Sequence, residues 1–197
     1  DINKQNITSQ LSTNGIAESQ ELNSKVQNFS NDFNYIGSRK DQIFELYSYI
    51  NYIRQPQTLT INPGPDSGFF NNGVPYASLL QSVNMPSFFT NNNITFGFAN
   101  LKFRQLYKIG FTTADQDLTS GLTKILANGT TQPAIDSAVN DLNWQRYREY
   151  FEGEYNGITE KLKVTVRVPF SFQQIKYSDS SYNYRNARDG LIFSPAI

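Results

Sequence analysis

Lys161-Leu162-Lys163-Val164-Thr165-Val166-Arg167-Val168-Pro169-Phe170-Ser171-Phe172 is the run from which the fold is read. Leu162, Val164, Val166, Val168, Phe170 and Phe172 alternate with charged or small polar residues. A period of two places one set on a buried face and the other in water, which predicts an antiparallel strand over 158–177. Pro169 has no N–H to give a ladder, so it marks an edge position or the end of pairing. Downstream, 178–190 is a polar loop rich in Ser, Tyr, Asn and Arg, with Tyr182 and Tyr184 as contact candidates. Leu191-Ile192-Phe193 reads as a last short strand.

Upstream of that run the pattern changes. Leu118, Leu122, Ile125 and Leu126 recur at helical spacing, and Ile135, Ala138, Val139 and Leu142 repeat it. Thr131 suits an N-cap and Pro133 a first turn. Two helices are therefore expected, near 114–127 and 131–155. Before them, Ile94, Phe96 and Phe98, then Leu101, Phe103, Tyr107, Ile109 and Phe111, predict two strands or one bulged strand over 93–111. Lys102, Arg104 and Lys108 form its basic side, read as a solvated face ahead of a nucleic-acid groove. Residues 57–92 read as irregular surface with one short strand at Thr58–Ile61, and with one or two helical turns over Val74–Val83. Phe69, Phe70, Phe88 and Phe89 stand there as exposed-looking aromatics.

The N-terminal part reads differently again. Residues 1–17 are polar and broken by Asn14-Gly15, an extended or disordered arm. Leu22, Val26, Phe29, Phe33 and Ile36 follow at spacings of 4, 3, 4 and 3, two heptads of a helical seam. Gly37 offers a stop, and Ile43, Tyr47 and Ile50 continue the spacing toward Pro56. The expectation is a helical arm, kinked or folded as a hairpin, that drives trimerisation, docks on a neighbour or packs on its own domain. Together these readings give an α+β chain. Residues 1–56 form an N-terminal helical segment, and 57–197 a mainly antiparallel β core, sandwich or jelly-roll-like, with two inserted helices.

Composition narrows the chemistry. The 197 residues include no His and no Cys, with 17 basic against 17 acidic side chains, 22 Asn, 15 Phe and 12 Tyr. Without His or Cys, Ser-His-Asp and Cys-His catalysis and thiolate metal sites are excluded. The balanced charge lacks the basic excess on which nucleic-acid affinity rests. No apolar run of ~18 residues predicts a membrane-spanning helix. Glu149 and Glu152 fall three apart beside Arg146 and Arg148, which reads as ion pairing. Asp115-Gln116-Asp117 lacks the later acid of a calcium loop. Four Asn-Gly pairs, at 14, 72, 128 and 156, predict tight turns, and four glycosylation sequons fall at Asn6, Asn28, Asn93 and Asn128.

The expectation is a chain with no catalytic set, no cofactor and no metal. It is read as a structural subunit of a virion, of capsid or fibre type, whose partners are copies of itself and other subunits. Its location would be the virion or an extracellular particle, with secretion as the alternative, and the start at Asp1 reads as a trimmed N-terminus or an internal residue. Leu22, Val26, Phe29, Phe33, Ile36, Phe69, Phe70, Phe88, Phe89, Tyr182 and Tyr184 would make the contacts. The alternative is a secreted glycan- or surface-binding module.

Overall fold

The computed structural model describes residues 2–13, 16–100, 102–135, 138–158 and 162–196. It is one antiparallel sheet, 78% strand and 3% helical. Eleven strands follow the chain: β1 (Ile2–Thr13), β2 (Ile16–Arg39), β3 (Gln42–Arg54), β4 (Gln57–Asn62), β5 (Ser78–Asn84), β6 (Ser87–Ala99), β7 (Phe103–Ile125), β8 (Thr131–Pro133), β9 (Asn140–Ile158), β10 (Lys163–Asp179) and β11 (Tyr184–Phe193). Among the described residues one short helix, α1 (Ser67–Asn71), lies in the β4–β5 connection.

The registers reduce these eleven to a simpler meander. β3 and β4 both pair with β2 in one unbroken register, from Arg39 opposite Gln42 to Ser19 opposite Asn62. β5 and β6 likewise share one register against β7, from Ala99 opposite Arg104 to Ser78 opposite Ile125. Each pair is one long strand interrupted at a proline, Pro56 or Pro86, which has no N–H for the ladder. The carbonyls there are still used: Lys25 N–H donates to Pro56 O at 3.1 Å and Asp117 N–H to Pro86 O at 3.0 Å. The chain thus runs up and down, each long strand beside its predecessor, from β1 to β11.

Several expectations are corrected here. No helical arm spans 18–55; that stretch is β2 and β3. The helices expected near 114–127 and 131–155 are β7 and the β8–β9 stretch, and the turns expected at 74–83 give way to β5. The chain is therefore not α+β. The heptad spacing of Leu22, Val26, Phe29, Phe33 and Ile36 is incidental. In the strand, Leu22, Val26 and Ile36 point to one face, and Phe29 and Phe33 to the other, because successive side chains alternate. Local composition favours this outcome, since 29–53 is rich in Tyr, Phe and Ile and poor in Ala, Leu and Lys. Asn156-Gly157 lies inside β9 and makes no turn. Asn72 (φ 51°) with Gly73 (φ 81°), and Gly129 (φ 80°), do adopt left-handed turn conformations. Asn14-Gly15 lies outside the described residues. The expected boundary at 56/57 falls at the proline interruption between β3 and β4, both of which pair with β2.

Candidate functional site

Pairing dictates which side chains share a face, because directly opposed residues point the same way. One row crosses seven strands: Tyr35 faces Leu46, which faces Ile94, then Ile109, Phe151, Phe170 and Phe193. Every member is large and apolar or aromatic. The next row toward the short β2–β3 turn holds Phe44, Phe96, Tyr107 and Val168, and the row beyond it Phe98, Tyr155 and Val166. The result is an apolar belt on one face of the sheet.

The belt is exposed. Ile109 is 61% exposed, Phe193 60% and Tyr35 55%. The opposite face, at the same height, is the enclosed one, and it is polar: Asn93, Thr95, Asn156 and Ser171 are all buried. Glycines sit where that face is most crowded. A Cβ at Gly110 would lie 2.5 Å from Asn92 O and 2.6 Å from Asn93 Cβ. Buried large apolar side chains among the described residues reduce to Tyr76 and Leu79, near the β4–β5 connection. This inverts the usual distribution, in which apolar residues are the buried ones.

Aromatic side chains border the belt. Phe29, Tyr52 and Phe88 stand directly opposite one another at its upper edge, joined on β9 by Tyr147. Phe98 and Tyr155 stand at the lower edge. Beyond the upper edge the belt side continues with mostly polar side chains. On the belt side, Asn143 Nδ2 donates to Asp117 Oδ1 at 2.6 Å and to Asp115 Oδ1 at 3.0 Å.

The few polar groups inside the belt are paired. Ser48 Oγ donates to Asn92 Oδ1 at 2.6 Å, and Asn92 Nδ2 to Thr90 Oγ1 at 2.7 Å. Tyr147 OH donates to Glu149 Oε1 at 2.7 Å, a bond that raises the Tyr147 pKa above its ordinary value. These groups flank a depression of about 870 Å³ walled by Leu46, Ile94, Phe111, Phe151 and Phe172.

On the enclosed face, Glu154 accepts from Asn156 Nδ2 at 2.7 Å and from Arg167 Nε at 3.0 Å. The Asn156 amide holds the Glu154 carboxyl below the usual carboxylate range, partial burial opposes this, and Arg167 adds to the lowering. Arg104 and Lys108, expected on a solvated strand face, lie on this polar side of β7.

The structure does not gather the expected contact residues into one patch. Phe29, Phe33 and Phe88 belong to the belt. Leu22, Val26, Ile36 and Phe89 point to the other face, and Phe89 packs 6.0 Å from the Tyr49 ring. Phe69 and Phe70 pack edge to face at 5.0 Å in the α1 connection. Tyr182 lies in the β10–β11 turn, and Tyr184 sits 5.8 Å from the Tyr177 ring on the polar face. Residues not named as contacts from sequence, Leu46, Ile94, Ile109, Phe151, Phe170 and Phe193, form the centre of the belt. Their signal was alternation within each strand. Their alignment across strands depends on register. Comparison with known proteins matched no family model, no curated protein and no solved structure.

Proposed function

We propose that this chain forms the wall of a membrane β-barrel, with the apolar belt toward lipid and the polar face toward a wet interior. The observation that carries the reading is the seven-strand apolar row, exposed on one side of a sheet whose other side is polar and enclosed. Among the described residues no helix is long and apolar enough to cross a membrane. Strands are the other means of crossing, because a closed ladder satisfies every backbone polar group.

The dimensions support this reading. The belt runs from Phe44 to Tyr52 on β3 and from Val164 to Phe172 on β10. Roughly nine residues at ~3.4 Å each, tilted by ~45°, cover ~21 Å, close to the apolar band of ~25 Å in such barrels. The belt is also slanted. Its midpoint is Ser48 on β3, whose row reaches β10 at Phe172, while the β10 midpoint is Val168. A slide of ~14 Å over four strand spacings of ~4.8 Å corresponds to a tilt of ~35°, within the range for barrels. Aromatic borders, polar extensions and the two long connections at one end (Asn62 to Ser78, Ile125 to Asn140) agree with the same architecture. A spanning sheet must close, so the free edges, the outer side of β1 with Phe29–Arg39 of β2 at one end and the outer side of β11 at the other, would pair with further strands.

The test is insertion. The chain refolded with phospholipid vesicles should float with them, resist alkaline extraction, and give strand tilts of ~35–45° by polarised infrared spectroscopy. A monodisperse, folded monomer in detergent-free buffer that ignores vesicles would sink the reading.

A second reading is the assembly subunit. A large antiparallel sheet is compatible with one layer of a β-sandwich, in which another subunit covers the belt in place of lipid. The open edge strands favour it. The helical arm that first supported a capsid or fibre role is gone. A stable, detergent-free oligomer with a protected belt would support this second reading over the first.

A further inference from the structure

Three guanidinium groups share the polar face above the belt. Arg146 and Arg148 occupy alternate positions on β9. Ile175 of β10 lies between Arg146 and Arg188 of β11 in one row, and Gln173 lies between Arg148 and Gly190 in the next. Strand spacing puts Arg146 about 7 Å from Arg148 along β9 and about 10 Å from Arg188 across β10, measured at the backbone. The fourth corner is open: a Cβ added at Gly190 would meet nothing within 4 Å.

The protein does not neutralise this triangle. Among the described residues the ion pair is Arg167–Glu154, and none forms at Arg146, Arg148 or Arg188. Glu149 and Asp189 are neighbours in sequence but point to the opposite face, as do Asp115, Asp117 and Asp141. The nearest carboxylates on the same face, Glu152 and Asp179, stand four residues along their strands from Arg148 and Ile175. Asp179 Oδ1 already accepts from Ser181 N at 3.0 Å and Tyr182 N at 3.3 Å. Around the triangle, then, the adjacent acids of β9, β11 and β7 lie on the belt side, while the three guanidinium groups lie on the polar side.

Aromatic rings place the guanidinium groups without discharging them. Arg146 Cζ lies 5.7 Å from the Trp144 ring centroid, and Arg148 Cζ 5.6 Å from that of Tyr150. Such contacts orient the planar fork and leave its N–H donors available. We propose that Arg146, Arg148 and Arg188 form a binding site for a small multivalent oxyanion, bearing phosphate or carboxylate groups, that reaches the polar face through water. The site needs that face to be wet and deepens the barrel reading by naming the class of solute its interior would favour. Paired forks and clustered positive charge suit bidentate oxyanions.

Trp144 is the single tryptophan of the chain, so its fluorescence reports on this site. The folded full chain in neutral detergent should be quenched at least threefold more strongly by iodide than by caesium at matched ionic strength. Inorganic pyrophosphate and citrate, titrated separately, should each protect Trp144 from iodide. The pair of anions separates phosphate from carboxylate recognition, and protection by either supports the site. In R146Q/R188Q the protecting midpoint should rise at least tenfold. In Lys176→Gln, on the opposite face, it should stay unchanged. Equal quenching by both ions, or protection unaltered in a double variant with native near-ultraviolet dichroism, overturns the proposal. Vesicle flotation is read on the same preparations: flotation without anion preference removes the site and leaves the barrel, and the converse removes the barrel and leaves the site.

Discussion

β10 passes through two environments without changing its secondary structure. From Val164 to Phe172 its belt side is apolar at each alternate position. From Gln174 to Ser178 the same side is polar, although the ladder to β9 continues in unchanged register. β7 repeats the contrast, with Tyr107, Ile109 and Phe111 below and Asp115, Asp117 and Thr119 above. Backbone pairing and side-chain pattern are therefore separable. The ladder fixes the strand, and whatever meets each face fixes the alternation.

The sharpest way to break this contrast is a charge at matched positions. Ile109→Arg should lower folding stability in bilayers by about 2–4 kcal/mol, and Thr119→Arg by no more than about 0.5 kcal/mol, measured by reversible urea unfolding into vesicles. In a water-facing surface both would be near neutral, so equal effects would remove the lipid-facing assignment of the belt.

Two glycines probe the same halves, Gly110 from the polar side and Gly121 from the belt side. Gly110→Ala must displace the Asn92 carbonyl and Asn93, and should cost about 1–3 kcal/mol. At Gly121 the nearest atom to an added Cβ is Ser82 Oγ at 3.8 Å, so Gly121→Ala should be neutral or stabilise by up to ~1 kcal/mol. Thermal unfolding of the pair checks this; a smaller loss at Gly110 than at Gly121 would show that the belt-level interior is not crowded.

Extremes of pH should act on opposite ends. Tyr76, buried beside the β4–β5 connection, donates to Pro65 O at 2.6 Å. Burial first, then Asp66 and Glu18, pushes its pKa up to about 12. The neutral phenol is thus favoured in the fold. Its contribution is complete below the ordinary value of 10.0, and is lost as pH rises toward about 12, on the order of 2 kcal/mol. Tyr76→Phe should flatten that alkaline loss and cost about 1 kcal/mol at neutral pH. A spectrophotometric titration showing every tyrosine ionising near pH 10 would contradict it.

At the other end, the lowered pKa of Glu154 gives stability above the ordinary carboxylate value of 4.5, lost as pH falls through the depressed value. Arg167→Gln removes only the exposed partner. It should shift the Glu154 titration upward toward 4.5, with a stability loss of at most about 0.5 kcal/mol. Carboxyl chemical shifts against pH measure the shift.

Legibility in sequence follows the same division. The β10 strand was readable because its belt segment alternates strictly, and so were the strands at 93–111 and Thr58–Ile61. The failures concentrate in the upper half: along 114–127 and 140–146 the belt side is mostly polar, and the other face mixes Leu118, Leu122 and Trp144 with Ser120 and Asn140, so no strict period of two survives there. A few leucines, such as Leu118 and Leu122, then supply an accidental helical spacing. The stretch 29–53 failed for another reason. Ile36, Ile43, Tyr47 and Tyr49 place large side chains on the polar face as well, which blurs the alternation of Phe29, Phe33 and Tyr35.

By itself the sequence determined that neither His nor Cys chemistry operates, that Phe and Tyr are abundant without net charge, and that at least one strand is amphipathic. Tertiary structure decided that Tyr35, Leu46, Ile94, Ile109, Phe151, Phe170 and Phe193 form one row, and that three arginines share adjacent positions on the reverse side. Alternation is a property of one strand and can be read along the chain. A surface is a property of register, and a slip of one residue would send each of these side chains to the other face.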